Sequence, residues 1–129
     1  MMRLRSDLAQ MCLAAVNGKL DTVEADWDPR ASLGVVLAAG GYPADYPKGD
    51  VISGLDTVLA EGQKVFQAGT ALKDGQVVTN GGRVLCTVAL GDTVAQAQSA
   101  AYDVVNTLSW DKVYFRTDIG HRAIAREQK

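Results

Sequence analysis

One histidine, two cysteines and two phenylalanines leave this chain short of the side chains on which much enzyme chemistry rests. A Ser/His/Asp or Cys/His relay would have to pass through His121, which sits in a charged tail and reads as a surface imidazole. No Cys/His spacing matches a zinc site. The acids are scattered; Asp21, Glu24, Asp26 and Asp28 share one loop and Asp45 and Asp50 another, neither with calcium-loop spacing, so they read as solvating. No catalytic residue and no metal ligand is therefore assigned. Cys12 and Cys86 stand alone in apolar sequence, which fits two buried thiols in a reducing compartment better than a disulfide framework. No apolar run approaches the roughly 18 residues that span a bilayer. The start, Met1-Met2-Arg3-Leu4-Arg5, runs straight into Ser6 and Asp7 and has no signal core. The expected compartment is the cytoplasm, with no membrane partner. Net charge is −2, from 13 basic against 15 acidic residues, so no basic field favours nucleic acid as a partner.

What is present is a chain of 129 residues with 47% apolar content, enough for one domain with a real core. Leu4, Leu8, Met11, Cys12, Ala15 and Val16 form one helical stripe that Gly18 is placed to end, so a helix is expected almost from residue 1. So abrupt a start is expected of a fragment. Residues 21–30 read as a connector. Residues 31–39 are a nearly continuous apolar run of strand length, expected to be buried on both faces. Residues 64–72 predict a second strand, Asp74-Gly75 a turn into 76–79, and residues 83–90 a strand with Val84, Cys86, Val88 and Leu90 on one face. Thr93-Val94-Ala95-Gln96 matches a capping box, so a helix is expected over about 94–107. Residues 113–115 predict a short last strand, and 118–126 a final turn or helix with an Asp118/Arg122 pair. The fold class is α+β, mainly an antiparallel, barrel-like sheet of rudimentary single-hybrid type with two helices packed on it.

Residues 79–91, T-N-G-G-R-V-L-C-T-V-A-L-G, carry the most chemistry. Backbone N–H groups made accessible by Gly81 and Gly82, beside the Arg83 guanidinium, suit a phosphate or carboxylate. The competing reading is a plain Asn-Gly hairpin with a solvated Arg. Gly40-Gly41-Tyr42-Pro43 also follows a strand, where a phosphate turn belongs, but Pro43 removes a donor and no helix pattern begins there.

In order, A-S-L-G-V-V-L-A-A-G-G-Y-P (31–43), K-G-D-V-I-S-G-L (48–55), V-F-Q-A-G-T (65–70), V-V-T-N-G-G-R-V-L (77–85) and R-T-D-I-G-H-R-A (116–123) resemble the C-terminal domain of phosphoribosylamine–glycine ligases, also called glycinamide ribonucleotide synthetases. The resemblance covers essentially the whole chain. It implies that residues 1–30 trail from an ATP-grasp domain and that 31–129 form the C-terminal domain. The family joins 5-phosphoribosylamine to glycine with ATP and magnesium, through a glycyl phosphate, in purine synthesis. The resemblance further implies that ATP and magnesium are held upstream, that this chain binds neither, and that its partners are that ATP-grasp domain and a small-molecule substrate. Arg83 would be the phosphate clamp, helped by Asn80, Gly81 and Gly82, with Gly40, Gly41 and Tyr42 lining the cleft. Gln67 and His121 replace the His and Trp usual in the family's motifs. The alternatives are a stand-alone carrier-like module, whose nearest modifiable residue is Lys73 at the Asp74-Gly75 turn, and a scaffold docking through Leu4, Leu8 and Met11.

Overall fold

Strand β5 (Arg83–Gly91) is the centre of the molecule, hydrogen-bonded antiparallel to β1 (Ala31–Ala38) on one side and β2 (Gln63–Gln67) on the other. The computed structural model describes residues 1–128. Register places Leu33, Val35 and Leu37 of β1 opposite Ala89, Thr87 and Leu85 of β5, and all six are buried. Helix α2 (Val94–Val105) crosses this face and seals it with Ala97, Ala101, Val104 and Val105. Fully burying a side chain such as Leu37 or Leu85 contributes about 1.5–3 kcal/mol. The Thr87 hydroxyl, also buried, donates to the Ala101 carbonyl at 3.3 Å and so ties sheet to helix.

The other face of this sheet is left open, contrary to the expectation for β1. Ser32, Gly34 and Val36 are exposed, because an apolar run reports hydrophobicity but not how many layers cover it. Cys86, Val88 and Leu90 do share a face of β5, and it is this half-covered one; the core face is Leu85, Thr87 and Ala89.

The second sheet is a hairpin of β3 (Thr70–Lys73) and β4 (Gln76–Thr79), turning at Asp74-Gly75 with φ of 51° and 79°. These positive values are those of the mirror-image turn that matches strand twist. The expected strand over 64–72 is thus two strands in two sheets, separated at Ala68-Gly69. Among the described residues the sheets stay separate and do not close into a barrel, while the α+β antiparallel class stands.

Helix α1 (Leu8–Val16) begins later than its stripe suggests. Asp7 caps it, accepting from the N–H groups of Ala9 and Gln10 at 2.8 and 3.2 Å. Leu4 lies in an extended segment bridged to Trp27. No residue of α1 is buried, and Cys12 is exposed rather than buried. The same segment is tied down by Asp28, 4% exposed, whose carboxylate accepts from Arg30 at 2.7 Å and faces Arg5 at 3.3 Å.

Helix α2 starts at the expected Thr93, whose hydroxyl accepts from Gln96 N–H at 3.1 Å; the Gln96 side chain reaches back to the Asp92 N–H rather than to Thr93. The expected strand at 113–115 is a single bridge, Tyr114 exchanging hydrogen bonds with Ala38 at 2.8 and 2.9 Å. Helix α3 (His121–Glu127) follows, but Asp118 pairs with Arg116 at 2.7 Å, not with Arg122. Among the described residues no helix is long and apolar enough to cross a membrane.

Candidate functional site

The Asn80-Gly81-Gly82 bend is not a hairpin. It carries the chain from the second sheet to the first, and neither Asn80 nor Gly81 has the positive φ a two-residue hairpin requires. Its glycines serve close approach instead. A Cβ on Gly69 would stand 2.7 Å from both the Arg83 carbonyl oxygen and the Gly81 Cα, and a Cβ on Gly82 would stand 2.1 Å from an edge carbon of the Tyr42 ring. Asn80 N–H donates to the Gly69 carbonyl at 2.7 Å, and Gly69 N–H to the Arg83 carbonyl at 2.9 Å. The start of β5 is thereby clamped against residues 68–69 and the 40–42 loop.

This clamp decides where Arg83 goes. A register shift where β1 meets β5, between Leu37 and Ala38, brings Arg83 opposite Ala38 at the open end of the ladder. The side chain is exposed, and its guanidinium makes no hydrogen bond or ion pair with any described residue. It lies between two clefts. One, of about 560 Å³, is bounded by Tyr42, Ala68, Gly69, Gly82, Arg83 and Cys86. The other, of about 230 Å³, has Gly34, Val36 and Ala38 as its floor and Tyr42, Tyr114, Phe115 and Ile119 as its walls, with Arg83 and Arg116. Among the described residues no acid lines either cleft. Gly81 and Gly82 N–H groups donate to no described residue, and Gly82 lines the larger cleft with Arg83. Burial pushes the Cys86 thiol up, away from thiolate chemistry.

Of the residues singled out from sequence, Arg83, Gly82 and Tyr42 meet in the larger cleft. Gly81 supports them from behind through its contact with Gly69. Asn80 is exposed and lines neither cleft. Gly40 packs against Lys112 and Gly41, at φ +97°, against the Asp45 carbonyl, so both shape the loop holding Tyr42 without lining a cleft themselves. Tyr114, Phe115, Arg116 and Ile119 were missed. Tyr114 and Phe115 fall in the expected strand at 113–115, and Arg116 and Ile119 in R-T-D-I-G-H-R-A, but neither signal gives a reason to set them beside β1. His121 is an exposed imidazole with Nδ1 2.7 Å from the Asp118 carbonyl oxygen. Among the described residues no three acids, thiols or imidazoles come together as a metal-ligand set.

The family model described as phosphoribosylglycinamide synthetase, C domain, matches residues 32–122. The phosphoribosylamine–glycine ligase of Vibrio parahaemolyticus is 64% identical over 129 residues, which is 100% of this chain and 30% of the relative. That of Escherichia coli K12 is 60% identical over 129 residues, 99% of this chain and 30% of the relative. The crystal structure of phosphoribosylamine–glycine ligase from Thermotoga maritima superposes with a TM-score of 0.64 at 35% identity, over 84% of this chain and 27% of that one. The chain thus spans about 30% of the length of the curated relatives it matches.

Proposed function

Because this chain belongs to the phosphoribosylglycinamide synthetase family, whose C domain its residues 32–122 match, we propose that it supplies the substrate-side wall of a phosphoribosylamine–glycine ligase. The reaction joins glycine to 5-phosphoribosylamine at the expense of ATP, giving glycinamide ribonucleotide, ADP and phosphate. ATP and magnesium belong, in this proposal, to an upstream ATP-grasp region, of which residues 1–30 are the trailing part and which is this chain's partner. The chain alone is inactive, and the cytoplasm is its compartment.

The observation that carries this reading is the exposed Arg83 guanidinium, unpaired among the described residues and set with Gly82 and Tyr42 in a cleft that no described acid lines. An arginine fork matches the oxygens of a phosphate monoester, and the absence of a competing carboxylate leaves the charge available. Tyr42, held by its contact with Gly82, closes the side of the cleft that a sugar would face. This chain's part is to bind and orient the sugar phosphate so that its amine meets the activated glycine.

The test is Arg83→Ala in the full-length enzyme. Loss of a charge-assisted hydrogen-bonded pair, about 1.5–3 kcal/mol, raises KM for phosphoribosylamine roughly 10- to 100-fold and leaves KM for ATP unchanged. An unchanged KM for phosphoribosylamine overturns the clamp.

A further inference from the structure

The smaller cleft is chemically unlike the site just described. Its floor is Gly34, Val36 and Ala38, and its walls are the rings of Tyr42, Tyr114 and Phe115 with Ile119. Of these, Val36 and Tyr42 also line the larger cleft, and a sugar phosphate held there needs neither Tyr114, Phe115 nor Ile119. Among the described residues the charged groups lining the smaller cleft are the cations Arg83 and Arg116.

Each part is held in place. Tyr114 is bridged through its backbone to Ala38, while its side chain stays 59% exposed. Tyr102 anchors the segment that follows, its hydroxyl donating to the Arg116 carbonyl and accepting from Ile119 N–H at 3.2 Å. Arg116 is fixed by Asp118 through Nε and one Nη, at 2.9 and 2.7 Å. Two of its five N–H groups are used in that pair, so three remain for an anion. Asp118 lines an adjoining hollow with His121 and Arg122, which shares Arg116 and Ile119 with the cleft, and it does not line the cleft itself.

We propose that this cleft is a second ligand site, for a planar aromatic ring that carries a phosphate-type anion, of nucleoside-monophosphate chemistry. The ring stacks among Tyr42, Tyr114 and Phe115 over the Val36 floor, and the anion lies toward Arg83 and Arg116. Charge complementarity selects the anion, since among the described residues two cations and no acid line the cleft. The aromatic walls select the ring, as base-on-aromatic contacts hold nucleobases without reading their edges. The site goes beyond the substrate reading and shares Arg83 with it, so its occupant competes with a sugar phosphate for one guanidinium.

The test is an amide NMR titration of this chain with three probes: adenosine 5′-monophosphate, adenosine and ribose 5-phosphate. The nucleotide is expected to bind roughly 5- to 100-fold more tightly than either fragment, with shifts at Tyr114, Phe115 and Ile119. Tyr114→Ala, at an exposed side chain, should abolish that advantage while ribose 5-phosphate still shifts the amides around Gly82. Ile119→Ser is a second variant from another wall with the same expected result. Ribose 5-phosphate binding as tightly as the nucleotide, or a nucleotide advantage that survives both variants, overturns the ring site and leaves the clamp standing. Failure of the clamp shows elsewhere, as an unchanged KM for phosphoribosylamine in Arg83→Ala.

Discussion

Gly69 and Gly81 cross so closely that a Cβ on either would stand 2.7–2.9 Å from the other's Cα. That crossing ties the start of β5 at Arg83 to the break between β2 and β3, with Gly69 N–H donating to the Arg83 carbonyl at 2.9 Å. Gly69→Ala has only backbone to push against, the Arg83 carbonyl and the Gly81 Cα. It should cost about 1–3 kcal/mol, read as a lower urea midpoint with unchanged slope. Gly82→Ala meets the Tyr42 ring, an exposed side chain that can swing aside, so it should cost less and report chiefly as displaced Tyr42 resonances.

Arg83→Ala in this chain should leave stability within about 0.5 kcal/mol, since the side chain is exposed and bonded to no described residue. Chemical denaturation checks this. A loss of 2 kcal/mol or more (a threshold of roughly that size) would reveal a structural role that the clamp reading excludes.

Asp28 predicts an acid-sensitive strap. Its carboxyl is held well below the usual carboxylate range, first by the Arg30 side-chain hydrogen bond and then by the Arg30 backbone N–H. A depressed folded-state pKa stabilises the fold fully above the unfolded carboxylate value of about 4, and that contribution fades as pH falls below it. Urea midpoints of the parent chain should therefore drop between about pH 4 and pH 2, and Asp28→Asn should be less stable at pH 7 with a shallower drop. Parallel pH profiles for the two would contradict the assignment.

Tyr102→Phe removes one hydroxyl that serves two backbone groups, the Arg116 carbonyl and the Ile119 N–H. A cost of about 0.5–1.5 kcal/mol is expected, with faster hydrogen exchange at Ile119. Because Ile119 is a wall of the smaller cleft, nucleotide binding should weaken in parallel.

Thr93→Ala tests the start of α2. Losing the hydroxyl that accepts from Gln96 N–H should cost about 1 kcal/mol, measured by thermal or urea unfolding.

Two dipeptides show where local reading succeeds and where it stops. Asp74-Gly75 and Asn80-Gly81 carry the same hairpin signal, yet only the first makes one. Strand pairing decides between them: β3 and β4 pair with each other, whereas β4 and β5 belong to different sheets. The helical stripe from Leu4 fails for a similar reason, since Leu4 has a bridge partner in Trp27 and Asp7 offers a cap just beyond. Arg83 and Gly82 stand out in the sequence as candidates for anion binding because arginine and glycine carry that chemistry in their own atoms, and the structure sets both in one cleft with Tyr42. Tyr114 and Arg116 were not, because nothing local says which strand edge they will meet.

The amino-acid order alone determined the α+β class, helix α2 with its Thr93 cap, the Asp74-Gly75 hairpin and the family kinship. These rest on period, turn chemistry and motif order, each contained within a short stretch of chain. Only the tertiary structure decided that β1 has a bare face, that Asn80-Gly81-Gly82 is a crossing between sheets, and that two arginines 33 positions apart, Arg83 and Arg116, line one aromatic cleft. Such facts depend on which surfaces cover which, a balance of burial and long-range pairing that no local window contains.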